Sequence, residues 1–144
     1  MCPSGPAGTL LPVKKAQTIF LVDDDLSVRR ALTRLLRTAG HDAHDFASAQ
    51  DFLDALDPNA SGCVVLDARM PGMSGEELIA ELKARGQHMP VIVVTADDDT
   101  ETRLAAQRMK ASAFFRKPVD GTALLDAIEW ALRENSAGGN HKRR

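Results

Sequence analysis

The chain has 144 residues, 44% of them hydrophobic and 26% charged, with a formal net charge of −2. Those values describe one globular domain with a single sizeable core, and they offer no electrostatic reason to expect nucleic acid or an anionic membrane as partner. No apolar run approaches the roughly 18–20 residues that a spanning helix needs, and the two cysteines, Cys2 and Cys63, form no metal or redox pair, so a reducing cytoplasm is the expected compartment.

Residues 1–16 carry Pro3, Gly5, Pro6, Gly8 and Pro12, which predict a flexible extension. Thr18 to Val22 then reads as a strand that ends on Asp23, Asp24 and Asp25. Ser27 or Asp25 caps a helix whose apolar positions Val28, Ala31, Leu32, Leu35 and Leu36 have helical spacing, with Gly40 as its stop. Its other face holds Arg29, Arg30, Arg34 and Arg37, either a solvated surface or a dock for an acidic partner. His41 to Phe46 is a weak strand of poor β-formers, and Ser48 caps a short helix through Phe52, Leu53 and Leu56. Cys63 to Leu66 is an unbroken apolar run into Asp67, the pattern of a strand buried on both faces of a parallel sheet. Ser74 and Glu77 form an S-x-x-E capping box for a helix closed by Gly86. Val91 to Val94 is a β-branched strand ending on Thr95, and a helix from about Asp99 to Met109 or Lys110 follows. Ala113 to Arg116 leads into Lys117-Pro118, and Asp120 caps a last helix through Leu132. The expected divisions are an extension over 1–16, one domain over 17–135 and a flexible basic tail over 136–144.

Five strand signals alternate with five helix signals, which argues for βα units and a doubly wound parallel sheet. All strands then present their carboxyl ends on one edge, where open α/β sheets bind ligands. Gathered there are Asp23, Asp24, Asp67, Thr95 and Lys117. Three packed carboxylates repel one another unless a cation lies between them, and oxygen-only ligands favour a hard ion such as Mg²⁺. An aspartate can itself be the nucleophile for a phosphoryl group. Phosphoryl transfer to a carboxylate is the chemistry this set supports.

The chain resembles the receiver domain of two-component response regulators. The motifs that carry the resemblance are Val22-Asp23-Asp24-Asp25, Leu66-Asp67 with Met70-Pro71-Gly72-Met73-Ser74-Gly75, Val94-Thr95-Ala96 and Arg116-Lys117-Pro118. It implies a flavodoxin-like (βα)5 fold with strand order 2-1-3-4-5. It also implies Asp67 as phosphoacceptor. Mg²⁺ would be held by Asp24, Asp67 and the backbone carbonyl of Arg69, with Asp23 acting through water. Thr95 and Lys117 would grip the phosphoryl oxygens, and Phe114 would be the aromatic switch position, where many members have Tyr. A second departure is Lys110, where the family commonly has a glycine past the fourth helix; lysine must accept a left-handed conformation there, or the helix ends differently. The Lys117–Pro118 bond is often cis in such domains.

The function so implied is a stand-alone response regulator: a non-enzyme phosphoacceptor that takes its phosphoryl group from a histidine kinase or phosphotransfer protein and switches a protein contact. Two alternatives stand beside it, an aspartyl-phosphate phosphohydrolase and a receiver detached from a longer regulator or hybrid kinase. Ala68 and Arg69 follow Asp67 and supply no second acid, which weighs against the hydrolase. The basic end His141 to Arg144 is too short to be a DNA-binding domain. The expected partner or homodimer surface is the face of the fourth helix, fifth strand and last helix, centred on Trp130. On a helical wheel Trp130 falls about 160° from the apolar stripe, so the indole is expected to face solvent.

Overall fold

The computed structural model describes residues 17–97 and 99–138. The expected extension over 1–16 and residues 139–144 of the expected tail lie outside them. Strands β1 (Thr18–Val22), β2 (Asp42–Phe46), β3 (Gly62–Asp67), β4 (Val91–Thr95) and β5 (Ala113–Arg116) alternate with helices α1 (Leu26–Thr38), α2 (Ala49–Ala55), α3 (Gly75–Ala84), α4 (Thr100–Arg108) and α5 (Gly121–Gly138). The strands form one parallel sheet of order β2-β1-β3-β4-β5. The last helix continues to Gly138, three residues past the expected boundary at 135. An established helix propagates cooperatively, whatever the polarity of its end.

Alternation along the strands divides the core in two. Ile19, Leu21, Cys63, Val65, Ile92 and Val94 pack with Leu32, Leu36, Leu124 and Ile128 beneath α1 and α5. Phe20, Val22, Val64, Leu66, Val91 and Val93 pack with Phe52, Leu78, Ile79 and Leu82 beneath α2, α3 and α4. Every residue of β3 and β4 is buried, as a central strand covered on both faces requires. At Gly62, in register with Thr18, an added Cβ would stand 1.8 Å from the Thr18 carbonyl oxygen, so only glycine permits this approach of β3 to β1.

The weak edge strand β2 is held by α1. Arg29 Nε donates to Asp45 at 3.0 Å, and the Arg37 guanidinium donates twice to the Ala43 carbonyl at 3.1 and 2.8 Å. Two of the four arginines on the basic face of α1 therefore serve the sheet's own edge.

The helix ends are locally encoded. Asp25 rather than Ser27 caps α1, Ser48 caps α2, the Ser74–Glu77 box caps α3, and Asp99 caps α4. Helices α1, α3 and α4 all close the same way: the second residue past the helix donates to its second-last carbonyl and the third to the one before. Gly40 and Gly86 occupy the left-handed position in the first two, and Lys110, with φ 56°, occupies it in the third. Of the two outcomes open to Lys110, the chain takes the left-handed one.

Candidate functional site

The sheet register levels the strand ends. Val22 pairs with Leu66, which places Asp23 beside Asp67; Asp67 pairs with Val94, and Thr95 with Arg116, which places Thr95 and Lys117 next in line. The chain reverses its winding between β1 and β3, and the crevice there is the topological switch point of the sheet.

The carboxylates of Asp23, Asp24 and Asp67 offer oxygens that all lie within 4.8 Å of one another. Asp23 and Asp67 are buried, and Asp24 is exposed. Lys117 Nζ bridges the buried pair, 2.8 Å from Asp23 Oδ2 and 2.9 Å from Asp67 Oδ2. The remaining oxygens accept backbone donors, Asp23 Oδ1 from the N–H of Asp25 and Asp67 Oδ1 from the N–H of Arg69, each at 2.9 Å.

Burial pushes the Asp67 carboxyl above its ordinary range, against the opposing pull of the Arg69 N–H and Lys117. Burial works against the charge of Lys117 too, but its bonds to Asp23 and Asp67 prevail and hold its pKa above the usual value. One ammonium against three carboxylates leaves the pocket with excess negative charge. An all-oxygen donor set of this size fits a hard divalent cation, which would offset that excess. Cys63 takes no part: burial pushes its thiol up to about 12, so it is an inert core residue.

Thr95 is fully buried, and its Oγ1 accepts the N–H of Asp97 at 3.2 Å. Its carbonyl accepts the N–H of Lys117 at 2.8 Å, ahead of a cis Lys117–Pro118 bond. Phe114 is half-buried on β5, beyond the pocket, with the Arg103 guanidinium 5.2 Å above its ring. Trp130 is 51% exposed and faces solvent as its wheel position requires. It sits nine residues into α5, about 13 Å along the helix from the carboxylate edge. The structure thus gathers Asp23, Asp24, Asp67, Thr95 and Lys117, and leaves Phe114 and Trp130 outside the pocket.

The side chain of Arg69 is the element that sequence reasoning missed, having assigned a role only to its backbone. Its guanidinium stands 3.3 Å from Asp97 and 3.0 Å from Asp99, and its Nε donates to Thr102 Oγ1 at 3.1 Å. Arg69, Asp99 and Thr102 line a groove of about 840 Å³ between α3 and α4, and Arg108 paired with Glu76 lines the same groove. The only signal in the sequence was the acidic run before α4, which does not say which arginine answers it.

Fold and pocket together define a doubly wound α/β domain with a cation-ready acidic crevice at its switch point. The model of the response regulator receiver domain matches residues 19–129, and the chain belongs to that family. It is 40% identical over 124 residues to the transcriptional regulatory protein FixJ of Azorhizobium caulinodans, an alignment covering 86% of this chain and 59% of that protein. Among solved structures, the response regulator StyR superposes with a TM-score of 0.77 at 45% identity, covering 84% of this chain and 61% of that one. FixJ-N superposes at 0.75 with 35% identity, covering 83% and 96%. The chain spans roughly half to three-fifths of the length of the curated relatives it matches. Among the described residues, no helix is long and apolar enough to cross a membrane.

Proposed function

We propose that the chain is a phosphorylation-operated switch in which Asp67 accepts a phosphoryl group from a histidine kinase or histidine phosphotransfer protein in the cytoplasm. The observation that carries this reading is the cluster of three carboxylate oxygens within 4.8 Å, bridged by one lysine. Asp24, Asp67 and the Arg69 carbonyl would hold Mg²⁺ directly, with Asp23 helping through water. Bound there, such an ion would neutralise charge that builds on the phosphoryl oxygens. An Asp67 oxygen attacks phosphorus, the bond from phosphorus to the imidazole nitrogen breaks, and its electron pair leaves with that nitrogen. Lys117 gives up its bond to Asp67 Oδ2 and pairs with the incoming phosphoryl oxygens. Thr95 turns its hydroxyl from the Asp97 N–H to the same group, and a change at the face of α4, β5 and α5 follows, with Phe114 as the responding ring.

The test is intact mass after incubation with a small acyl phosphate, with and without chelator. Wild type should gain one phosphoryl group only when Mg²⁺ is present, and Asp67→Asn should gain none. Equal gain by the variant would remove Asp67 from its role.

A stand-alone regulator would deliver its output through protein contacts alone. The second reading is a receiver segment of a longer transcriptional regulator, favoured by the partial coverage of FixJ and its kin. An antibody to this chain decides between them in a native extract: a band near 15.6 kDa supports the first reading, and a band of about one and a half times that size the second.

A further inference from the structure

Asp97 and the first turn of α4 are tied down by two groups that both border Asp67. One is the Thr95 hydroxyl, which accepts the Asp97 N–H at 3.2 Å. The other is Arg69. Its N–H is committed to Asp67 Oδ1 at 2.9 Å, while its guanidinium reaches Asp97, Asp99 and Thr102. Asp99 is the N-cap of α4; one of its oxygens takes the Thr102 N–H at 2.8 Å and the other takes Arg69 at 3.0 Å. A single residue therefore has its main chain on the pocket carboxylate and its side chain on the start of the next helix. The buried Thr102 makes the attachment specific, whereas both ion pairs are half exposed and easily exchanged. The guanidinium fork suits phosphoryl oxygens as well as it suits carboxylates.

We propose that Arg69 is a positioning residue that couples Asp67 to α4: it braces the first turn of the helix while Asp67 carries only its carboxylate, and releases it when a phosphoryl group on Asp67 competes for the guanidinium. The proposal rests on Asp67 being the phosphoacceptor. A ligand can bias a two-state element only through differential contacts, and Arg69 supplies one that differs between the two states.

The experiment is amide hydrogen exchange at Thr102 and Arg103, whose N–H groups are held by Asp99. The full chain and its Arg69→Ala and Arg69→Lys variants are compared before and after treatment with a small acyl phosphate and Mg²⁺, with phosphoryl occupancy read by intact mass. In wild type, exchange at both amides should rise about fivefold on phosphorylation, the low end of coupling between sites. Arg69→Ala should exchange fast in both states, and Arg69→Lys, which keeps the charge without the fork, should fall between. A purely structural brace would speed exchange in the unphosphorylated variant yet leave the phosphorylation response intact. If phosphorylated Arg69→Ala gains by the same factor as wild type, the coupling is overturned and the phosphoacceptor reading stands. If wild type gains no mass at Asp67, both fall together.

Discussion

Lys117 Nζ lies 2.9 Å from Asp67 Oδ2, a contact joining residues fifty positions apart in the chain. The same ammonium lies 2.8 Å from Asp23, so one cation holds two buried carboxylates in place. Removing it leaves them facing each other and Asp24 without the ammonium that bridges them. Lys117→Met is expected to lose about 3 kcal/mol at pH 7, the cost of breaking a largely buried pair. Without the lysine the Asp67 pKa, already raised by burial, rises further. The loss is therefore full above the carboxylate range and shrinks as the pH falls and Asp67 takes up its proton. Urea denaturation of both proteins across pH 4–8 measures it, and a gap that stays constant with pH would contradict this origin.

Because burial raises the pKa of Asp67, its ionised form works against the fold. The native state binds this proton more tightly than the unfolded chain does, so the stability Asp67 contributes is greatest below its unfolded pKa and falls as the pH rises through the folded value. Asp67→Asn, which holds no charge, should melt a few degrees higher than wild type near neutral pH. The advantage should fade in acid. A variant that melts lower at pH 7 in the absence of metal would contradict the prediction.

Cation binding should show itself in stability without any phosphoryl donor. At a Mg²⁺ concentration of one hundred times Kd, linkage adds about 2.7 kcal/mol. Wild type should accordingly melt higher with Mg²⁺, whereas Asp24→Ala should respond weakly. Thr95→Ala should keep the full response, since its hydroxyl suits phosphoryl oxygens better than Mg²⁺. Equal loss in both variants would place Thr95 among the ligands.

Lys110 supports its helix end from a left-handed backbone conformation, φ 56°, which costs a side-chain-bearing residue about 1–2 kcal/mol. Lys110→Gly relieves that strain and loses some in unfolded-chain entropy, for a net gain of about 0.5 kcal/mol. Lys110→Val, whose branched side chain tolerates this region worst, should lose about 1 kcal/mol or more. Chemical denaturation of the pair reads the difference, and a glycine variant less stable than the valine one would be the wrong sign.

Trp130 is the only tryptophan, and it is 51% exposed. Its fluorescence should be readily quenched by acrylamide in the free monomer and shielded on phosphorylation if the face of α4, β5 and α5 is the partner surface, since large aromatics anchor interfaces. Unchanged quenching in a phosphorylated chain that demonstrably self-associates or binds its partner would move the interface elsewhere.

The element order and the polarity of each strand could be read from the chain because they rest on local physics. Uninterrupted apolar runs such as Cys63 to Leu66 announce central strands, and Ser74 with Glu77 announces a helix start within four residues. Parallel strands also have a common carboxyl edge, so Asp23, Asp24, Asp67, Thr95 and Lys117 could be assigned to one place before any distance was known. What spacing could not supply was the partner of each charge. That Arg37 closes the edge of β2, that Arg69 grips Asp97 and Asp99 across thirty residues, and that Lys117 chooses Asp23 and Asp67 over the exposed Asp24 are outcomes of packing. Long side chains of one sign are interchangeable in a sequence; only the tertiary fold, by burying some oxygens and leaving others in water, decides which pairs form.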